Sequence, residues 1–145
     1  MRVAIVFVFL SISPMLSAQN VTNPCDDAMS QQQMNACADF EFKQADAHLN
    51  RVYQRLADYM RGDLVQARKD SDRDQMRYVQ TGLDSLKEAE RVWLSYRDIQ
   101  CRAAAQEYEG GSMSPMIYSQ CLKTLTDQRI EALKSIYGDG DRKLD

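Results

Sequence analysis

Histidine, tryptophan and glycine are scarce in this chain. There is one His, one Trp and six Gly among 145 residues. A single His, with no Cys-x-x-Cys pair, cannot furnish a four-ligand zinc site, so metal binding is not expected. No nucleophile elbow occurs, and His48 has no obvious nucleophile or acid to serve, so it reads more simply as a surface side chain than as a general base. Lys and Arg number 18 against 21 Asp and Glu, which lacks the basic excess a nucleic-acid-binding face requires. No stretch alternates apolar and polar residues in the manner of a strand, and no internal repeat exceeds the helical period. No apolar run reaches the roughly 20 residues needed to span a membrane. What remains is 44% hydrophobic and 27% charged, a composition that folds as one globular domain with a real core.

The first 18 residues read as an address rather than as fold. Met1-Arg2 is a short positive segment, Val3 to Ile12 is apolar, and Pro14 to Ala18 ends in small residues before Gln19. That is the pattern of a secretory signal peptide cleaved near Ala18. No cysteine stands at the cleavage point to take a lipid. The mature chain is therefore expected in the periplasm or outside the cell, without a membrane anchor. Loss of Arg2 leaves a net charge near −4, a weak attraction for basic partners.

All four cysteines lie beyond the signal, and an even number in a small exported domain reads as two disulfides. Sequence alone permits three pairings. Cys101 and Cys121 each lie ten residues from Gly111, so an antiparallel hairpin folded at Gly110-Gly111-Ser112 would bring them face to face. Cys25 and Cys37 would stand about 18 Å apart on one continuous helix, too far to bond. If the chain folds back between Asp26 and Met29, the two can meet. A bridge closing a loop of about 20 residues stabilises by about 3 kcal/mol in the chain-entropy model.

The helical period is sustained in three segments. Ser30-x-x-Gln33 is a capping-box pattern, and Met34, Ala38, Phe42, Ala45, Leu49, Val52, Leu56 and Tyr59 follow on one face, predicting a helix over 30–61 that Gly62 stops. Residues 63–77 are highly charged and are expected as a solvated connection. Met76, Val79, Leu83, Leu86, Ala89, Trp93, Tyr96, Ala104 and Tyr108 predict a second helix over 73–108, with Gly82 a weak point. Ser114 as N-cap and Pro115 at the first position predict a third helix to Tyr137, its face formed by Ile117, Cys121, Leu125, Leu133 and Ile136, with Gly138 as C-cap. The expected fold is all-α: an elongated antiparallel bundle of about three long helices with two disulfides. Its parts are a signal peptide over 1–18, an N-terminal segment over 19–29, a helical domain over 30–138 and a flexible tail over 139–145.

Candidate site residues fall in two places. Asp46 and Asn50, beside the first helix's apolar seam, together with Arg97 and Arg129, could line a polar pocket. The simpler reading is an interhelical network that fixes register, since partly buried polar groups need partners. The loop Gly110-Gly111-Ser112-Met113 is either a plain connector or a preorganised tip that enters a partner's groove at reduced entropic cost. Glu88, Glu90, Glu107 and Glu109 could be imagined as paired acids of a glycosidase, but as members of mixed-charge helix faces they read as solvated. No catalytic residue and no cofactor are assigned.

These residues together carry a resemblance. Cys25 and Cys37, the stretch Asp46-Ala47-His48-Leu49-Asn50 with Tyr53, then Glu90, Trp93, Arg97-Asp98 and Cys101, the Gly110-Gly111-Ser112 turn, Cys121, Thr126, Arg129 and Leu133 resemble the lysozyme inhibitor LprI-like N-terminal domain family, long known as DUF1311. The resemblance covers about residues 25–137. It implies an exported bacterial helical protein that binds and inhibits a lysozyme or another peptidoglycan hydrolase. This chain departs from the family's lipoprotein form in lacking the lipid-bearing cysteine. The rival expectation is a periplasmic structural or stress-related module without effect on lysozyme. An enzyme acting on cell-wall material is the least supported.

Overall fold

The computed structural model describes residues 23–137 and Leu144. The signal-peptide expectation therefore lies outside the described residues, as do the Gly138 cap and, apart from Leu144, the tail. Three helices run α1 Gln31–Lys69, α2 Arg73–Ala105 and α3 Ser114–Tyr137, with one 3-10 turn at Gln106–Tyr108 after α2. Neighbours in sequence are antiparallel, and α3 packs chiefly against α1. Among the described residues there is no strand, and the fold is the all-α antiparallel bundle expected. At 39 residues, α1 is about 58 Å long.

Each helix begins for a local reason. Ser30 and Gln33 form the expected reciprocal box: Gln33 N–H donates to Ser30 Oγ, and Ser30 N–H donates to Gln33 Oε1. Ahead of it, Asn23 accepts from Cys25 N–H through its side chain and from Asp26 N–H through its carbonyl. Asp27 takes a left-handed φ of 60°. This compact turn folds Cys25 back onto α1, with its Cα 4.6 Å from that of Cys37. Asp72 caps α2 by accepting from Asp74 N–H and Gln75 N–H. The first helical bond of α3 runs from Ile117 N–H to the Met113 carbonyl, so Ser114 is the first helical residue rather than the cap.

Two boundaries differ from expectation: α2 gives way to the 3-10 turn after Ala105 instead of running to 108, and the end of α1 lies further on. Gly62 does not stop α1, which continues to Lys69. A glycine inside a helix costs up to about 1 kcal/mol, and continuing past it buries Leu64 and Ala67, an apolar gain of similar or greater size. The charged connection over 63–77 is therefore mostly helix. The real turn is Asp70–Asp72, closed by Ser71 N–H to Arg68 O and Asp72 N–H to Ala67 O. That is a Schellman arrangement, with Ser71 at φ 57° where glycine is usual.

The core holds Leu49, Val52, Leu56, Leu86, Ile130, Leu133 and Leu144, flanked by Tyr53, Met60, Trp93 and Tyr137. The inward stripes are shifted from those read in the sequence. On α2 the buried residues are Val79, Leu86, Arg97, Cys101 and Ala105, whereas Ala89, Tyr96 and Ala104 face solvent. On α3 the buried line is Ser119, Leu122, Thr126, Ile130 and Leu133, and Ile136 is exposed. Tyr59 is partly exposed, and Met60 takes the place beside the core. The Met60 methyl lies where a side chain on Gly82 would begin, 2.9 Å from the ideal Cβ position. The weak point in α2 is thus the seat for an α1 side chain.

Candidate functional site

The start of α1, the end of α2 and the start of α3 meet at one end of the bundle, and both disulfides lie there. Cys101 and Cys121 are bridged with Cα atoms 5.4 Å apart, and Cys25 is bridged to Cys37. Beyond Cys101 the chain makes the 3-10 turn, then reverses. Gly110 takes φ 78°, a conformation L side chains avoid. A Cβ on Gly111 would lie 3.1 Å from the Tyr108 carbonyl oxygen, which accepts the Gly111 N–H at 3.0 Å. Gly110 is thus required by the turn, and a side chain at Gly111 would crowd it. The tip is also held from outside the hairpin, because Asn35 Nδ2 on α1 donates to the Ser112 carbonyl at 3.0 Å. Gly110, Gly111, Ser112 and Met113 are all exposed, Met113 at 40%. Beside them a groove of about 440 Å³ is lined by Arg102, Gln106, Glu109, Pro115 and Tyr118, among others, with Gln106 hydrogen-bonded to Glu109.

Three to four turns behind the tip, a polar network crosses the bundle. Arg97 is the hub, its side chain 8% exposed. Its Nη1 donates to Asp46 Oδ1 on α1 at 2.8 Å and to Thr126 Oγ1 on α3 at 3.3 Å. Its Nε donates to Asp98 at 3.0 Å. The guanidinium lies 5.3 Å from the ring centroids of Phe42 and Trp93. Asn50 donates to the other Asp46 oxygen at 3.3 Å. Arg129 pairs instead with Glu90 at 3.0 Å and lies 5.6 Å from Trp93 on its own account. The structure thus joins Asp46, Asn50 and Arg97 in one network and places Arg129 in a second, with Trp93 against both guanidiniums. Among the described residues no buried side-chain nitrogen or oxygen lacks a partner, so these charges leave no bare group inside the bundle that awaits a ligand.

Glu90 corrects the solvated-face reading: its side chain is 12% exposed and ion-paired. The signal was present, since Glu90 lies four residues after Leu86 and three before Trp93, on the buried stripe. Phe42 and Thr126 were not singled out as site residues, and only the packing reveals them as partners of Arg97. Glu88, Glu107 and Glu109 are exposed as expected. His48 is half-buried in an open groove of about 520 Å³ between α1 and α3, with Glu41, Arg51, Lys123 and Asp127 nearby. The hydrogen bond and charge of Asp127 hold the Lys123 ammonium above its ordinary pKa.

What this geometry defines is a rigid helical scaffold, braced by ion pairs at its waist and cross-linked behind a protruding tip. The chain belongs to the family described as Lysozyme inhibitor LprI, whose model matches residues 23–133. It is 38% identical over 121 residues to an uncharacterized protein of Rhizobium meliloti (strain 1021), covering 83% of each chain. No solved structure matches. Among the described residues no helix is long and apolar enough to cross a membrane.

Proposed function

We propose that the chain is an exported binding protein that inhibits a lysozyme-type cell-wall hydrolase by protein–protein contact, without chemistry of its own. The observation that carries the reading is the tip. Gly110 to Met113 is exposed, yet braced by the Cys101–Cys121 bridge and the Asn35–Ser112 hydrogen bond. A loop already held in one shape loses little entropy on entering a cleft, and Met113 offers an adaptable apolar end for the contact. The family's description as lysozyme inhibitors supports the choice of partner, and the acidic balance of the chain favours approach to a basic enzyme.

The test is lysis of a peptidoglycan suspension by c-type lysozyme, with and without the oxidised mature chain in excess. Slower lysis is expected, with the effect lost on reduction. Replacing Ser112 and Met113 by bulky charged residues should weaken inhibition about tenfold or more. Unchanged lysis would remove the inhibitor reading, and unchanged inhibition by the variant would move the contact away from the tip.

A further inference from the structure

α2 carries a second apolar stripe that the bundle does not use. Ser85, Ala89, Val92, Tyr96, Ile99 and Ala103 succeed one another in steps of four, three, four, three and four, the heptad spacing of a coiled-coil seam. All six are exposed, with Val92, Tyr96 and Ile99 at 52%, 53% and 59%. They turn away from the buried line of Leu86, Arg97, Cys101 and Ala105. Its apolar part, Ala89 to Ala103, runs about 21 Å along the helix, unusual apolar continuity for a surface with no described residue against it.

We propose that this stripe is the interface of a two-fold homodimer, in which α2 packs antiparallel against α2 of a second copy. The sequence is complementary to itself in one register, centred on position 94. There Val92 meets Tyr96 of the second copy, Ala89 meets Ile99, and Ser85 meets Ala103. In the Val92–Tyr96 and Ala89–Ile99 layers a larger side chain opposes a smaller one, which lets each knob seat among the residues of the facing helix. A parallel pairing would instead set Tyr96 on Tyr96 and Ala89 on Ala89, crowding one layer and leaving a void in the other. The charges agree. Glu88 and Arg102, both exposed, flank the seam on the same side, and the antiparallel register brings Glu88 of each copy across from Arg102 of the other. Glu88 also binds Arg91 on its own helix, but a carboxylate has lone pairs enough for both. Two-fold symmetry makes each of these contacts twice, a closed isologous interface.

The test is sedimentation equilibrium of the oxidised mature chain from about 1 µM to about 1 mM, a range that brackets moderate affinities. A monomer–dimer equilibrium is expected. Tyr96→Glu should weaken it at least about tenfold while leaving helical circular dichroism unchanged. Glu88→Arg alone and Arg102→Glu alone should each weaken dimerisation, and the double variant should restore it. A chain monomeric throughout overturns the proposal. So does a double variant no better than either single one. A monomer whose inhibition of lysozyme falls on Tyr96→Glu would assign the stripe to the hydrolase and equally overturn self-pairing.

Discussion

Arg97 concentrates at one position contacts to all three helices. Its guanidinium reaches Asp46 on α1, Asp98 on its own helix and Thr126 on α3, and rests against Phe42 and Trp93. Removing one member of a fully buried ion pair costs about 3–5 kcal/mol. Asp46 is 36% exposed, so water can take up part of its lost partner. Arg97→Met is therefore expected to destabilise by about 2–3 kcal/mol, allowing for that screening. Arg97→Lys should recover little, because an ammonium cannot serve a carboxylate, a second acid and a hydroxyl in one plane. Denaturant titration followed by fluorescence of Trp93, the chain's single tryptophan, measures both. A lower midpoint with unchanged slope is the expected result, and a shift under about 0.5 kcal/mol would show that register is set elsewhere.

At the level of the element, α1 shows what sequence could and could not convey. The start was legible, because Ser30-x-x-Gln33 is a reciprocal hydrogen-bond pattern that needs no tertiary context. The end was not. Gly62 is a helix-weakening residue by local rules, and only the burial of Leu64 and Ala67 beyond it reveals that the helix runs on. The turn that does end α1 places Ser71 in a conformation usually reserved for glycine, so it carried no punctuation. On α2 two apolar stripes lie one residue apart, and sequence reading merged them, taking Tyr96 inward where Arg97 belongs. The Cys101–Cys121 pairing was legible because both cysteines stand equally far from the Gly111 turn, whereas Cys25–Cys37 depended on a fold-back before Ser30 that the sequence left open. The polar partners of Arg97 and Arg129 were only half legible, because choosing between Asp46 and Glu90 depends on how far each helix is rotated. A direct test at this scale is Gly62→Ala. Nothing lies within 4 Å of the added methyl, and alanine is favoured over glycine in a helix by about 0.5–1 kcal/mol. The variant should melt a few degrees higher, and a lower melting temperature would contradict the unbroken helix.

For the molecule as a whole, both bridges and the tip share one end, while the Asp70–Asp72 turn occupies the other with no cross-link. Replacing Cys101 and Cys121 by serine should cost about 3 kcal/mol. It should also raise hydrogen exchange most at the end of α2 and the start of α3, a gradient that native-state exchange would map. Equal loss of protection along all three helices would argue instead for a single cooperative unit. The arrangement of the bridges has a consequence for how such a chain is made. Each joins neighbours in the cysteine order, first to second and third to fourth, across 12 and 20 residues. A polypeptide threaded amino end first into an oxidising compartment would present Cys25 and Cys37 together, with more than sixty residues still to follow before Cys101. The first pair can close before a competitor arrives, and the second then has only itself. Simple oxidation in order of emergence yields the native connectivity, with no wrong bridge for an isomerase to undo.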